Sequence, residues 1–472
     1  MLEGLEISEV MFQYVKLSSD IFRVDSTFFK REYLKDENLI RKKNNKTLIE
    51  LQNSILSFGA YSLNNHVNYL DEGVPFIRGI NMKNGRIDFS NTIYINKKAN
   101  ELLWKSEVRP STVLLSMSGT IGDVAIASKN WNYPINSNQD IAKIHPSKNI
   151  SSYYLYAFLL TKYGQNYLKR EARGSVQQHV FLSQIEKFEI PIFNNDFISK
   201  IEKLIIEFEN SIELSKQSYT QAETLLLEEI GLQDFEPSKE PVNIKSFKDS
   251  YATSGRLDAE YYQPKYDDYL KLIEDYSNGS DTITTICNLN GKNFKPEDKT
   301  TYNYIELSNV GKTGDVNGCT TNLGEELPSR ARRKVNTNDV IISSIEGSLD
   351  SCALITKEYD NALCSTGFYV INSKIINSET LLVLFKSELM QNVLKQNCSG
   401  TILTGMNKDD FLNINIPKIK ESTQQKIAKL IEQSFSLKKQ SEHLLEIAKR
   451  SVEIAIEENE SVALAFIKKE TA

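Results

Sequence analysis

A long amphipathic helical pattern that occurs twice constrains this chain of 472 residues more than any other feature. Within residues 196–231, and again within 422–459, apolar or small side chains recur at spacings of three and four, the period of a helix with one buried face. At about 1.5 Å per residue, each helix is roughly 50 Å long. Because a lone helix of that length would leave its apolar face in water, we expect the two to bury each other through the seam residues Ile201, Ile205, Phe208, Ile212, Ala222, Leu226, Ile427, Ile431, Leu445, Ala448 and Val452.

The duplication extends far beyond the helices. An Arg-Val-Asp run at 23–25 is matched by Arg-Leu-Asp at 256–258, and Val-Leu-Leu-Ser at 113–116 by Val-Ile-Ile-Ser at 340–343. Likewise, Gly-Ser at 174–175 is matched by Gly-Thr at 400–401, and Ile-Pro at 190–191 by Ile-Pro at 416–417. The offset between matched positions falls only from 233 to 226 residues, as insertions confined to loops would produce. Each half is therefore a globular segment, an Ile-Pro stop and a long helix.

The globular segments have the pattern of an α+β fold. Short apolar runs between Gly, Asn and Asp turn signals predict strands at 76–80, 92–95, 112–116 and 123–127. Helical patterns follow at 151–169 and 181–188 and, in the second half, at 379–396. We therefore expect two similar globular domains separated by two long helices, with these boundaries: 1–195 (first domain), 196–232 (first long helix), 233–245 (linker), 246–418 (second domain), 419–460 (second long helix) and 461–472 (C-terminal tail).

The composition, 40% hydrophobic and 25% charged, is ordinary for a globular protein. No apolar run approaches the roughly 18 residues of a membrane span, and the N-terminus lacks the features of a signal peptide, so we expect a cytoplasmic protein without a membrane partner. The formal net charge of −6 argues against indiscriminate binding to nucleic acid. The charge is uneven, however, because residues 75–110 hold seven bases against three acids, which favours a local basic surface.

The sequence shows no pattern typical of a catalytic site. The Gly-Lys-Thr run at 311–313 lacks the upstream glycine of a phosphate-binding loop, since that position is Glu306, and Gly-Thr-Ile-Gly at 119–122 lacks the spacing of a dinucleotide fingerprint. The four histidines have no helical ligand spacing, so we expect no metal site. The Asn-Pro-Pro or Asp-Pro-Pro run typical of an amino-methyltransferase does not occur. We therefore expect a chain that is not an enzyme.

The remaining polar residues suit the binding of DNA. Arg and Lys can contact phosphates or guanine edges, and Asn and Gln can pair bidentately with adenine. Such side chains gather in matched loops of the two halves, among them a predicted hairpin near 81–86, the glycine turn and the Gly-Ser loop. The candidate DNA-binding residues are Lys83, Asn84, Arg86, Ser116, Ser118, Thr120, Gln139, Arg170, Arg173, Gln177 and Gln178 in the first half, and Lys312, Arg330, Arg332, Arg333, Ser343 and Thr401 in the second.

Over its whole length the chain resembles the specificity (S) subunit of type I restriction–modification systems. The resemblance rests on the order globular–helix–globular–helix and on local signatures: Gly-Thr-Ile-Gly-Asp-Val-Ala-Ile at 119–126, Ser-Asn-Gln at 137–139 with Ser-Thr-Gly-Phe at 365–368, the two Gly loops and the two Ile-Pro stops. One departure is Gly-Ser-Leu-Asp at 347–350, where the first half has the second glycine of its turn. The resemblance implies two target-recognition domains for an asymmetric bipartite DNA site, with the long helices antiparallel as a coiled coil that sets the spacer between the half-sites.

The resemblance also implies that the chemistry belongs to partners. Two methyltransferase (M) subunits would bind S-adenosylmethionine and methylate adenine, restriction/translocase (R) subunits could join to cleave unmodified DNA, and this chain would bind no cofactor. Two alternatives stay open. One is a specificity module of a different methyltransferase–nuclease or phage-defence system, and the other is a coiled-coil scaffold with two protein-binding heads and no nucleic-acid partner.

Overall fold

The computed structural model describes residues 8–19, 21–58, 67–174, 178–400 and 404–471. The chain divides into two compact units: unit 1 comprises residues 1–211 and 440–472, and unit 2 comprises residues 212–439. Both divisions fall within the long helices, so each unit contains part of both. The domain boundaries predicted from the sequence, which place each long helix outside the globular domains, stay a prediction.

The helices are numbered in chain order. Those up to the first long helix are α1 (Phe12–Leu17), α2 (Arg31–Arg41), α3 (Leu48–Leu51), α4 (Lys97–Leu102), α5 (Ser152–Leu160), α6 (Lys162–Glu171), α7 (Leu182–Ile185) and the long α8 (Asn195–Ile230). The others are α9 (Tyr251–Ser254), α10 (Pro264–Glu274), α11 (Ile283–Ile286), α12 (Ser378–Lys386), α13 (Glu388–Gln396), α14 (Lys408–Leu412), the long α15 (Glu421–Glu457) and α16 (Glu460–Glu470). Most of the predicted C-terminal tail is therefore helical, because Asn459 caps α16 by accepting a hydrogen bond from the Val462 amide at 3.1 Å.

Each helix predicted at 151–169 and 379–396 is in fact a pair of helices. Thr161 separates α5 from α6, and its hydroxyl accepts a hydrogen bond from the Gly164 amide at 3.3 Å. Ser387 separates α12 from α13 in the same way, accepting from the Met390 amide at 3.4 Å. A hydroxyl at such a position caps a new helix in place of continuing the old one, which apolar periodicity alone does not reveal.

The strands are also numbered in chain order. In the first half they are β1 (Asn45–Thr47), β2 (Gln52–Leu56), β3 (Tyr69–Leu70), β4 (Val74–Ile77), β5 (Met82–Lys83), β6 (Arg86–Ile87), β7 (Ile93–Ile95), β8 (Glu107–Val108), β9 (Val113–Ser116), β10 (Val124–Ile126), β11 (Ile135–Ser137), β12 (Ile141–Pro146) and β13 (Glu189–Pro191). In the second half they are β14 (Ser280–Thr282), β15 (Cys287–Leu289), β16 (Thr301–Ile305), β17 (Thr320–Leu323), β18 (Ala331–Lys334), β19 (Val340–Ser343), β20 (Cys352–Leu354), β21 (Leu363–Ser365), β22 (Phe368–Ser373) and β23 (Asn415–Pro417).

Unit 1 contains two main sheets. One is four-stranded and antiparallel, in the order β10-β9-β12-β2, and the other is five-stranded, in the order β3-β7-β4-β11-β8. In the first sheet Ser116 lies opposite Ile141 and Leu114 opposite Lys143. In the second, β4 and β11 are parallel, so their carboxyl ends meet at one edge. That edge carries the loops described below.

Unit 2 repeats these strand orders, with a second sheet of four strands in place of five. Its sheets are β20-β19-β22-β15 and β17-β16-β21-β18, and β16 and β21 are again parallel. The register is also repeated, since Ser343 lies opposite Phe368 as Ser116 lies opposite Ile141. In each unit a short strand holding the Ile-Pro stop pairs with a partner early in the repeat, β13 with β1 and β23 with β14. The α+β duplication predicted from the sequence is confirmed.

All the predicted seam residues are buried. The seam residues up to position 211 in α8 and from position 440 in α15 belong to unit 1. The seam residues between positions 212 and 439 belong to unit 2. Within unit 2 the two helices are antiparallel: Ser215 contacts Ser434, whereas Glu229, further along α8, contacts Thr423 near the start of α15. None of the described helices is both long and apolar enough to cross a membrane. The cytoplasmic location expected from the sequence stays a prediction.

Candidate nucleic-acid interface

In unit 1 several loops meet where β4, β9 and β11 end. The amide after β11, that of Asn138, donates to the Ile77 carbonyl at 2.9 Å, and the Met117 amide donates to the Asp140 carbonyl at 2.7 Å. Ser118 pairs in turn with His179 in a β-bridge. We call residues 78–81, 116–120, 138–140, 173 and 178–179 the loop cluster of unit 1. Hydrogen bonds between backbones give it a defined surface.

The glycine turn within this cluster is shaped by its own side chains. The Ser116 hydroxyl donates to the Ser118 carbonyl at 3.1 Å and lies 3.3 Å from the Thr120 hydroxyl. Gly119 has a φ of +73°, a left-handed conformation that suits glycine, and a side chain there would meet open space. Burial raises the pKa of the Asp123 carboxyl, against the hydrogen bond from Thr120. The turn thus presents two exposed residues, Gly119 and Thr120, to solvent.

Unit 2 builds a corresponding loop cluster from its own strand ends. The Ser344 amide donates to the Gly367 carbonyl at 2.9 Å, and the Met406 amide donates to the Ser344 carbonyl at 2.8 Å. Ile345 and Gly405 form a β-bridge that matches the Ser118–His179 bridge of unit 1. We call residues 306–309, 330, 343–348, 365–367, 399 and 404–405 the loop cluster of unit 2.

In unit 1 the last turn of α6, which leads into the Gly-Ser loop, is held by an arginine. The Arg23 guanidinium donates to the carbonyls of Arg170, at 2.9 Å, and Ala172, at 3.4 Å. Its other nitrogens donate to both carboxylate oxygens of Asp25 at 2.8 and 3.0 Å. This bidentate pair fixes the guanidinium against the end of the helix.

The same arrangement recurs in unit 2. Arg256 donates to the carbonyls of Gln396, at 3.3 Å, and Cys398, at 2.9 Å, and is paired with Asp258. These acceptors lie 226 positions after those of Arg23, so the repeat preserves both carbonyl acceptors and the paired aspartate. In the sequence, both Arg-x-Asp runs stand out only as a matched pair, with no role assigned to them. That they are duplicated is the one feature of the sequence that could have indicated a shared structural role.

The structure places the predicted site residues in several different settings. Those at or beside a loop cluster with exposed or half-buried side chains are Thr120, Gln139, Arg173, Gln178 and Arg330. Lys83, Asn84 and Arg86 lie on the predicted hairpin, which packs against the helices of unit 1: the Tyr156 hydroxyl donates to the Gly85 carbonyl at 2.8 Å. Gln177 and Thr401 lie outside the described residues.

Other predicted site residues have structural placements. Arg170 is buried, and its guanidinium donates to the Phe28 carbonyl at 3.0 Å, to Glu37 at 3.2 Å and to the Tyr14 hydroxyl at 3.1 Å. Ser118 is also buried. The same holds for Ser116 and Ser343, and the Ser343 hydroxyl lies 2.9 Å from that of Ser348. We therefore assign these four residues to the support of the loops and not to direct contact with DNA.

Unit 2 carries a basic strand beside its loop cluster. The Thr366 amide donates to the Arg330 carbonyl at 2.8 Å, which attaches the strand to the cluster. Arg332 and Arg333 follow in β18, and the Arg333 guanidinium donates to the Asn293 amide oxygen at 2.8 Å. Three exposed lysines lie in the adjoining loop, at 292, 295 and 299. Lys312 is exposed on a separate turn. Such a surface suits phosphate contacts.

The family described as "Type I restriction modification DNA specificity domain" matches the chain twice, at residues 42–224 and 266–447. Each match covers one globular segment and most of the long helix after it, and together they account for most of the chain.

The chain belongs to this type I specificity family.

The chain is also similar to one curated relative over part of its length and to solved structures. The chain is 34% identical over 135 residues to the type I restriction enzyme MjaIX specificity subunit of Methanocaldococcus jannaschii, a match that spans 27% of the chain and only 29% of that relative. Among solved structures, it is similar to the type I restriction–modification S subunit of M. genitalium, with a TM-score of 0.41 and 14% identity over 90% of this chain and 95% of that one. It is also similar to the HsdS subunit of Thermoanaerobacter tengcongensis, with a TM-score of 0.30 and 12% identity over 88% and 97% of the two chains.

The described part of this family member holds no group of His, Cys, Asp and Glu side chains that could bind a metal ion. A cavity in unit 1 lies between α2, α6 and α7 and includes Tyr33, Tyr167 and Phe188 in its lining. Its lining follows α6 from Tyr163 to Glu171 and includes the Arg170–Glu37 pair. The loop cluster, in contrast, is built alike in both repeats.

Proposed function

We propose that this chain is the DNA-reading subunit of a type I restriction–modification complex. Each unit reads one half of a bipartite duplex through its loop cluster, and the two halves differ in sequence because the two clusters carry different side chains. The observation that supports this most directly is the equivalence of the clusters: the same strand ends, the same β-bridge and the same arginine anchor occur in both repeats of the chain.

The charge distribution supports DNA over a protein partner. The net charge of the chain is −6, yet Arg330, Arg332 and Arg333 lie beside the loop cluster of unit 2. Basic side chains next to loops with backbone donors and hydroxyls can contact phosphates and position the loops at base edges. A scaffold with two protein-binding heads gives no reason for this placement.

We further propose that the chemistry is supplied by other chains. Two methyltransferase subunits, each binding S-adenosylmethionine, methylate adenine at the sites that this chain selects, and restriction subunits that join the complex cleave unmodified DNA. In this proposal the chain itself binds no cofactor and catalyses neither reaction.

Co-expression with its cognate methyltransferase, followed by sequencing of adenine methylation in the host genome, tests the proposal. We expect one new split motif with an unspecified spacer, present with this chain and absent with the methyltransferase alone. An active, stably assembled complex that adds no new motif would contradict DNA reading and favour the scaffold alternative.

A further inference from the structure

Unit 1 exposes one of the two tryptophans of the chain at the rim of its loop cluster. Trp104 is 56% exposed, although tryptophan is among the side chains most often covered in folded proteins. It lies on a 3-10 turn, Trp104–Ser106, that leads directly into the edge strand β8. An exposed indole at a fixed position is more informative than a scattered surface leucine.

The strand register places this turn beside the loop cluster. In the antiparallel β8–β11 pair, Glu107 lies opposite Asn136. The Ser137 hydroxyl then donates to the Ser106 carbonyl at 3.2 Å, which continues the pairing by one residue. Ser137 directly precedes residues 138–140 of the cluster, so the Trp104–Ser106 turn lies next to the strand end from which that loop starts.

The turn is rigidly held from below. Leu103 and Ser106, on either side of the exposed pair, are both fully buried. The Ser106 hydroxyl donates to the side-chain oxygen of Asn136 at 2.6 Å, and the Asn136 amide nitrogen donates to the Leu103 carbonyl at 3.3 Å. The backbone under Trp104 is therefore ordered before any ligand arrives, so binding through the indole orders few additional groups.

One lysine lies close to the indole, and other bases occur in the same stretch of chain. The Lys105 ammonium lies 5.5 Å from the centroid of the Trp104 ring. Lys97 and Lys98, both exposed, belong to the preceding helix α4, and the exposed Arg109 follows β8 with its guanidinium 3.8 Å from Glu107. An apolar ring bordered by bases is complementary to stacked base pairs bordered by phosphates.

Unit 2 has no aromatic side chain at this position. There the Thr366 amide donates to the Arg330 carbonyl, so Arg330 takes the place of Lys105 beside the cluster. Pro328 and Ser329 come before it, where unit 1 has Leu103 and Trp104. The two units thus present different chemistry at equivalent sheet edges: an indole with lysines in unit 1, and arginines in unit 2.

We infer that Trp104 is an apolar wedge that enters the DNA duplex at the half-site read by unit 1 and stacks on a base that it has partly unstacked. Lys105 contacts a neighbouring phosphate and holds the ring at the groove. The half-site read by unit 2 stays stacked, because that unit presents Ser329 and Arg330 and no aromatic side chain at the equivalent position. This inference rests on the proposed DNA-reading function and adds a local deformation of one half-site to it.

The experiment uses the full chain in complex with its methyltransferase and duplexes carrying the methylated motif. 2-Aminopurine, which fluoresces more strongly when unstacked, replaces one base at a time across both half-sites, and a fluorescein label on the same duplex reports binding by anisotropy. We expect a rise in 2-aminopurine emission at one step of one half-site. Trp104→Ala abolishes the rise and weakens binding roughly ten-fold, whereas Trp104→Phe keeps part of both.

Two matched variants serve as controls. Trp131, the other tryptophan, packs edge-on against Phe89 with ring centroids 5.0 Å apart, so Trp131→Phe keeps the emission rise. Lys105→Ala also keeps it but lowers the slope of log affinity against log salt by about one. A bound complex with no unstacked position, or an emission rise that survives Trp104→Ala, overturns the inference alone. A complex that binds neither the motif nor a scrambled duplex overturns the proposed function as well.

Discussion

Ser215 and Ser434 each donate a side-chain hydrogen bond to the backbone carbonyl of the other, at 2.8 Å in both directions. Both residues are buried in unit 2, and their hydroxyl oxygens lie 3.2 Å apart. A serine hydroxyl reaches the backbone of a neighbouring helix only if the two axes come close. This pair therefore marks a point of close approach between α8 and α15.

Enlarging either serine should separate the helices. Ser434→Leu is expected to lower the free energy of unfolding by about 1–3 kcal/mol through overpacking, and Ser434→Ala by about 1 kcal/mol through loss of the hydrogen bond. Urea unfolding of the full chain measures both. Thr224→Ala is the control, because that hydroxyl bonds only within its own exposed turn, at 2.9 Å to the Thr220 carbonyl. If Ser434→Leu lowers the free energy of unfolding no more than Ser434→Ala does, this site does not require the two helices to lie close together.

Lys143 is fully buried in unit 1, where its ammonium donates to the Ile141 carbonyl at 2.8 Å and to the Ser137 hydroxyl at 3.1 Å. Burial lowers the pKa of Lys143 from 10.5 to about 7. Between these two pH values the unfolded chain binds more protons, so the free energy of unfolding rises with pH, by up to about 1.4 kcal/mol per unit. Below pH 7 the full penalty of burying the charge applies.

Lys143→Met should therefore be more stable than the unmodified chain at pH 7, and its advantage should shrink as the pH approaches 10. The repeat supports the substitution: Lys143 lies opposite Leu114 as Val370 lies opposite Ile341, and Val370 is fully buried. Denaturant titrations at pH 7, 8, 9 and 10 give the difference. Lys46→Met, at an exposed position of the same unit, is the control: its free energy of unfolding should depend on pH as that of the unmodified chain does. If the free energies of unfolding of Lys143→Met and the unmodified chain differ by the same amount at every pH, the buried Lys143 amine is not neutral in the folded state.

The Arg23–Asp25 pair should make unit 1 sensitive to acid. Hydrogen bonding by Arg23 lowers the pKa of Asp25 from 3.8 to about 2. The stability that Asp25 contributes is present above about pH 4 and is lost as the pH falls from 4 to 2. Asp25→Asn should remove this contribution at pH 7, by about 1 kcal/mol at most because the pair is partly exposed. Thermal unfolding at pH 7 and pH 2.5 checks this, since variant and parent should converge at the lower pH. A gap of equal size at both values would rule it out.

Substitutions in the two loop clusters should alter different halves of the methylated motif. Gln139→Ala acts on the half-site of unit 1 and Arg330→Ala on that of unit 2, each by relaxing or weakening recognition about ten-fold or more, as the loss of one good base or phosphate contact does. Methylome sequencing of each variant gives the result. Lys374→Ala, in a turn that belongs to neither cluster, is the control. Both halves changing together in either variant would contradict independent reading by the units.

The sequence predicted the architecture well because the repeat supplied two readings of every element. The matched runs at 113–116 and 340–343 became β9 and β19, which hold equivalent places in the two sheets. The site was harder to predict. Arg170 is a basic residue close to the Gly-Ser loop, as a DNA contact would be. The residues that bind its guanidinium, Tyr14 and Glu37, lie more than 130 residues earlier in the chain. Only the fold brings such partners together.

Trp104, in contrast, is an exposed residue that the sequence did not single out. Its position between Leu103 and Lys105 looks like one more apolar residue in a short helical run, and periodicity gives no sign that its neighbours are buried while it is exposed. The structure places Trp104 at the start of a 3-10 turn, and both Leu103 before it and Ser106 at the end of the turn are buried. Side-chain identity could be read from the sequence, but its orientation could not.

Unit 1 consists of two stretches that are far apart in the chain, and this affects the order in which the units fold during synthesis. Residues 440–472 are synthesised after the whole of unit 2, yet Glu453 accepts a hydrogen bond from the Lys162 amide and Glu460 one from the Asn194 amide, at 2.9 and 3.0 Å. Unit 2 is one contiguous stretch and can fold as soon as it is made, whereas unit 1 is complete only once residues 440–472 have been added. A premature stop near residue 439 would therefore damage the half of the protein that was translated first.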